Sequence, residues 1–292
     1  MSSWKGKSKG KASGYGIFVF ILRTAGVLPA YFLLRFVTFY YLIVSYRSTR
    51  NTFIFFRKKF NYNILKSIYK VYINYNLLGQ SLIDKVAIIS GIPNKFTFYL
   101  DGISNLRHIA SLKKGGLLLT AHIGNWEAAR HLLNEIDARI HVVIFDGEDQ
   151  GVKEYMESVV GKSVLNLIII KDDMSHIFEI SNALLNEEVV CMPADRYIEN
   201  NKTATMKFLG EDARFPLGPF TLAAKFGVPV SFVYGMKEST FHYHFFASKV
   251  KEYPDLEQDA VVQQMMADFV KDMEIKVRAY PEQWYNYYNF WQ

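Results

Sequence analysis

The chain of 292 residues carries a single cysteine, Cys191, and only 8 prolines. A lone thiol closes no disulfide within the chain, which removes the disulfide-stapled scaffolds and fits a reducing compartment such as the cytoplasm. Its setting, Glu-Glu-Val-Val-Cys-Met-Pro, reads as a buried strand, so Cys191 is expected to pack. No Gly-x-Ser-x-Gly run occurs, which excludes a serine nucleophile elbow. Gly115 and Gly116 do not meet the pattern of a nucleotide-binding loop. His242 and His244 alternate along one face of a strand-like run, yet no carboxylate or thiol stands beside them at ligand spacing, so no metal is expected. His108, His131, His141 and His176 lack a chemical context. Acidic residues are outnumbered, 28 against 34 Lys and Arg, for a net charge of +6. No nucleic-acid motif accompanies that excess, so it suits an anionic membrane surface or an acidic carrier protein, and no nucleic acid.

Apolar residues are plentiful: half of the chain is hydrophobic and 16% is aromatic, beyond ordinary soluble usage and suited to contact with acyl chains or a bilayer. From Gly14 to Ser45 the charged residues are Arg23 and Arg35 alone, with Gly26 and Pro29 near the middle. Thr24 to Ser45 nearly supplies the roughly 20 apolar residues a hydrocarbon core requires, if Arg35 faces protein or snorkels. A signal peptide fits poorly, because the apolar stretch is too long and no clean cleavage site follows. Basic residues flank both ends (Lys5, Lys7, Lys9 and Lys11 before; Arg47, Arg50, Arg57, Lys58 and Lys59 after), so the positive-inside rule chooses no side. A single span and a hairpin bent near Gly26 to Pro29 both stay open. The chain divides into a basic N-terminus with a membrane-anchoring helical segment, 1–59, and an α/β domain, 60–292.

Beyond the anchor, Ile64, Ile68, Val71, Tyr72 and Tyr75 have helical spacing. Apolar runs then alternate with helical stretches: strands near 117–121, 140–145, 166–170, 188–193 and 228–235, helices near 126–136, 151–160, 174–186 and 219–226. Such alternation predicts an α/β fold with a mixed, largely parallel central sheet flanked by helices. Val261, Met265, Phe269, Met273 and Val277 recur every four residues and predict one amphipathic helix near the end.

Chemistry is concentrated where the run Leu117 to Ala121 ends. His122 follows that buried strand, Gly124 and Asn125 make a tight polar turn with Asn125 a good N-cap, and Glu127 falls in the first turn of the expected helix. Ligands of open α/β sheets bind outside the carboxyl ends of the strands. A histidine there can take a proton near neutral pH, and a carboxylate at a helix start stays ionised and can hold one imidazole nitrogen. Two later blocks follow. Met192 to Tyr197 closes a strand with Asp195 and Arg196, and the stretch from Phe208 to Phe220 carries Arg214, Gly218 and Pro219. Gly218 and Pro219 allow a turn and a helix start whose free N–H groups can face an oxyanion or a phosphate, and both arginines can pair with phosphate. On its own, Asp195-Arg196 reads as a structural ion pair.

These blocks together resemble the glycerolipid and lipid A acyltransferases, especially the bacterial lauroyl/myristoyl transferases of lipid A assembly. The string around His122 and Glu127 is similar to their His-x-x-x-x-Asp/Glu block, and the tail from Tyr280 to Trp291 looks like theirs in its Pro-x-x-Trp. The resemblance implies His122 as general base with Glu127 its partner, and substrate binding by Asn125, Asp195, Arg196, Arg214, Gly218 and Pro219. It implies a membrane-bound acyltransferase at the bacterial cytoplasmic (inner) membrane, its catalytic domain facing the cytoplasm. Its acyl donor would be acyl-carrier protein or coenzyme A thioester, its acceptor a hydroxyl or amine of a lipid, with no cofactor and no metal. A non-catalytic lipid-binding protein of the same fold and a hydrolase using the same dyad are the alternatives. Two departures stand out. Asparagine and tyrosine replace basic residues in the tail, which leaves a heavily phosphorylated acceptor in doubt, and no arginine lies between Arg139 and Arg196, where Lys153 or Lys162 would have to substitute.

Overall fold

A computed structural model describes the chain outside residues 1–11, 90, 93, 126–127, 129–135, 137, 146–165, 171–172, 174, 198–200, 254–256 and 292. Four helices come first: α1 (Ala12–Ala25), α2 (Val27–Val44), α3 (Tyr46–Phe60) and α4 (Ile64–Ile89). The remainder alternates: β1 (Thr97–Asp101), α5 (Ile103–Ser111), β2 (Gly116–Thr120), β3 (Ile140–Phe145), β4 (Asn166–Ile170), α6 (Ser175–Leu185), β5 (Val189–Pro193), β6 (Thr203–Phe208), β7 (Glu211–Pro216), α7 (Gly218–Phe226), β8 (Val230–Lys237), β9 (His242–Ala247) and α8 (Gln258–Ala279).

Seven strands form one sheet in the order β1-β9-β8-β2-β5-β3-β4, and β6 pairs with β7 in a separate hairpin. Strands β8, β2, β5, β3 and β4 run parallel, whereas β9 is antiparallel to β8 and parallel to β1. The sheet is therefore mixed and largely parallel. All five residues of β2 are buried, as a strand covered on both faces requires. Leu117, Leu119 and Ala121 join the larger core with α7, α8 and the tail, while Leu118 joins Val142, Val189 and Cys191 against α5 on the other face. Each leucine or valine among them, fully removed from water, contributes roughly 1.5–3 kcal/mol.

Gly26, at φ 85, separates α1 from α2, a left-handed position that glycine adopts without a Cβ clash. Helix α2 does not stand away from the α/β domain. Tyr31 and Leu34 are buried with Ile83, Val86 and Ala87 of α4, and a Cβ on Gly79 would lie 2.4 Å from Leu34 Cδ1. The opposite face of α2 leaves Leu28, Phe32, Phe36, Phe39, Tyr40 and Ile43 exposed. By length and composition Val27–Val44 can cross a membrane.

Five strands and the helices at 174–186 and 219–226 are found close to their expected places. The helices expected at 126–136 and 151–160, with Lys153 and Lys162, lie outside the described residues but for Ala128 and Ile136. Residues 203–216 form a β-hairpin turned by Leu209 (φ 51) and Gly210 (φ 84), an element the sequence reading does not anticipate, while the helix start expected at Gly218 and Pro219 is found as α7.

Candidate active site

Strand β2 ends at Thr120 and β5 at Pro193, and the parallel register sets these two residues opposite one another. Ala194 N–H extends the ladder to Thr120 O at 2.9 Å. His122 and Asp195 each come two residues beyond those matched ends, so both emerge side by side at the carboxyl edge of the sheet. The Asp195 carboxylate accepts twice from His122: from the main-chain N–H at 3.0 Å and from ring Nδ1 at 2.7 Å. Asp195 is 1% exposed, whereas the His122 side chain keeps 32% of its surface open. Burial would raise the Asp195 carboxyl, but the His122 ring, the His122 N–H and the Arg196 charge outweigh it and hold the group below the usual carboxylate range. The carboxylate is thus ionised, and Nδ1 must be the nitrogen that carries a proton toward it.

The turn that follows is held on two sides. Gly124 has φ 67, and a Cβ there would meet the Gly235 carbonyl oxygen at 2.0 Å. Asn125 N–H donates to that same carbonyl at 2.6 Å. From the tail, Tyr285 N–H donates to His122 O at 3.0 Å, and Ile123 bridges Trp284. Trp284 is itself locked in an aromatic cluster, its ring 4.9 Å from Phe55 and 5.1 Å from Phe290 between centroids.

The expected site residues distribute unevenly around this pair. Asp195, expected to contact substrate or to pair with Arg196, spends both oxygens on His122 and is closed to solvent, so its place is behind the histidine. It occupies the position that sequence reasoning reserved for Glu127, which lies outside the described residues. Asn125 is buried, its amide donating to Ser81 O at 3.1 Å and to Tyr243 OH at 3.3 Å. These bonds fix the turn. Arg196 is half-buried and its guanidinium donates to the Tyr285 carbonyl. Arg214 is exposed on β7, opposite Thr205. Gly218 and Pro219 open α7. Helix α7 then leads into β8, which lies parallel to β2. The signal for Asp195 was present: an acidic residue two positions past one strand, as His122 is past another.

The other polar side chains of interest are accounted for. His244 Nδ1 lies 3.0 Å from Glu238 Oε1, and His242 Nδ1 lies 2.7 Å from Thr97 Oγ1. Among the described residues no group of three or more His, Cys, Asp or Glu could hold a metal ion. Burial pushes the Cys191 thiol up to about 12, so it packs as a neutral side chain.

A mixed α/β sheet covered by helices, with a carboxylate-held histidine at the carboxyl edge, is an arrangement suited to acyl transfer. The family model of the bacterial lipid A biosynthesis acyltransferases matches residues 78–292, and the chain belongs to that family. It is accordingly an acyltransferase of lipid biosynthesis. No curated protein matches the chain. Among solved structures it is similar to the 1-acyl-sn-glycerophosphate acyltransferase PlsC from Thermotoga maritima at 13% identity, covering 85% of this chain and 96% of that one, with a TM-score of 0.42.

Proposed function

We propose that this protein moves a fatty acyl chain from an acyl thioester, carried on acyl-carrier protein or coenzyme A, to a hydroxyl or amine of a membrane lipid. The observation that carries the reading is His122 held by a buried, ionised Asp195 at the open edge of the sheet. His122 takes the proton of the acceptor as its oxygen or nitrogen attacks the thioester carbonyl. The new C–O or C–N bond forms, the C–S bond breaks as the tetrahedral oxyanion collapses, and the leaving thiolate receives the proton from His122. Stabilisation of the oxyanion falls to peptide N–H groups at the start of α7, from Gly218 onward, with Pro219 setting the helix start and itself offering no N–H. Glu127, five residues after the base in the sequence, is the second carboxylate we assign to the reaction. Arg196 and Arg214 are the cations for a phosphate or phosphopantetheine group. The protein acts at the bacterial cytoplasmic (inner) membrane, with the apolar face of α2 toward lipid and the catalytic domain on the cytoplasmic side. The tail, rich in Tyr and Asn and devoid of Arg and Lys after Arg278, favours an acceptor without several phosphates.

Incubating purified protein with radiolabelled acyl-carrier protein or acyl-CoA and a lipid extract tests the reading. A labelled lipid is the expected product. Free fatty acid would replace transfer by hydrolysis, and no turnover with either donor would replace it by binding alone. His122→Ala should lower turnover by about 10²- to 10⁴-fold while the protein stays folded.

A further inference from the structure

Beneath the His122 turn lies a buried polar cluster that the reaction does not use directly. Asp84 of α4 is fully buried and forms an ion pair with Lys237, the last residue of β8, also buried. The same carboxylate accepts from the hydroxyls of Tyr31 on α2 and Tyr243 on β9. The Lys237 ammonium also donates to the Tyr31 hydroxyl at 2.7 Å. Burial pushes the Asp84 carboxyl up and the Lys237 ammonium down, each opposed by the charge of the other. Ion pairs of this kind add little net stability over well-packed apolar residues, so stability alone is a weak reason for this one to be here.

Its position supplies a better reason, because two hydrogen-bonded threads connect the cluster to the turn. In one, the Tyr243 hydroxyl accepts from the Asn125 amide at 3.3 Å, and that amide also donates to Ser81 O, one helical turn before Asp84, at 3.1 Å. In the other, Lys237 N–H donates to Gln283 Oε1 at 2.9 Å and Gln283 Nε2 donates back to Lys237 O at 2.8 Å. The Gln283 carbonyl then accepts from Gly124 N–H at 2.8 Å. Gly124 and Asn125 are the second and third residues after His122.

We infer that Asp84, Lys237 and Tyr243, with Tyr31 reaching in from the apolar helix α2, are positioning residues that hold the His122 turn in its reactive geometry. The inference rests on His122 being the base of acyl transfer. It makes α2 part of the catalytic unit as well as an anchor.

Tyr243→Phe removes the hydroxyl that joins Asp84 to Asn125 with almost no change of shape. Its kcat should fall about 10- to 100-fold, the scale of a slightly misplaced catalytic group, with the KM for acyl donor within about threefold. The paired variant Asp84→Leu with Lys237→Met separates positioning from stability. It should recover the melting temperature lost in Asp84→Leu alone, since no unpaired charge remains, while kcat stays low. Full kcat in folded Tyr243→Phe, or recovery of kcat together with melting temperature in the paired variant, would overturn the inference. His122→Ala in the same assay tells the two levels apart. If it is inactive while Tyr243→Phe keeps full kcat, only the positioning role fails; if it is active, the base assignment fails and the inference with it.

Discussion

The carbonyl oxygen of Gly235 stands 2.0 Å from the point where a Cβ on Gly124 would be, so the turn bearing His122 runs backbone to backbone against β8. Gly124→Ala therefore meets both a left-handed φ of 67° and an immovable main-chain atom. The left-handed conformation alone costs roughly 1–2 kcal/mol for a residue with a Cβ, and the clash adds displacement of the turn. The expected result is a lower melting temperature and a kcat reduced about a hundredfold, read from initial rates on the folded fraction.

Asp195→Asn preserves shape and removes the charge that Nδ1 of His122 faces. The kcat should fall about a hundredfold or more, with a smaller change in KM. Equal kcat in the variant and the parent would assign the orienting task to Glu127 alone.

The same carboxylate sets a pH dependence. Its folded-state value lies below the unfolded one, so it contributes stability above the ordinary carboxylate range and loses it as pH falls through the folded value. The parent should melt higher than Asp195→Asn near neutral pH, and the gap should close as the pH drops below about 4. Thermal melts across that window check the sign.

Gly79 lets α2 approach α4, and the atom nearest its missing Cβ is the end of the flexible Leu34 side chain. Gly79→Ala should be tolerated, since Leu34 can rotate and alanine gains about 1 kcal/mol of helix propensity. Gly79→Phe should lift α2 from α4 and reduce both melting temperature and turnover. Retained turnover in Gly79→Phe would show that the site does not depend on this contact.

Cys191 is buried in β5 with its thiol pushed up to about 12. It should resist a thiol reagent at pH 8 in the native protein and react fully after unfolding, which a colorimetric thiol titration measures.

Much of the sheet was readable because its strands are short apolar runs closed by turn residues, as at Leu117 to Ala121 and Val189 to Pro193. Strand β1 leaves little signal in the sequence, because Thr97, Tyr99 and Asp101 alternate as exposed positions with only two partly buried residues between them. The β6–β7 hairpin was hidden because its turn is Leu209-Gly210, and Leu carries none of the usual preference for a positive φ. The histidine at a strand end was visible in the sequence, but its partner depends on which strand lies beside β2. That adjacency is a property of the register of Thr120 against Pro193 and of no local spacing. The buried Asp84 and Lys237 are illegible for a similar reason: each looks solvated until the fold closes 153 positions of chain separation into one ion pair.

The His122 and Asp195 contact closes across 73 residues of chain, and the Lys237 to Tyr31 contact across 206. Loops of that length close only after their loop-closure entropy is overcome, so a half-assembled molecule with several native helices holds no functioning base. Turnover should return during refolding with the slowest structural phase, which makes enzymatic activity a reporter of the final docking step.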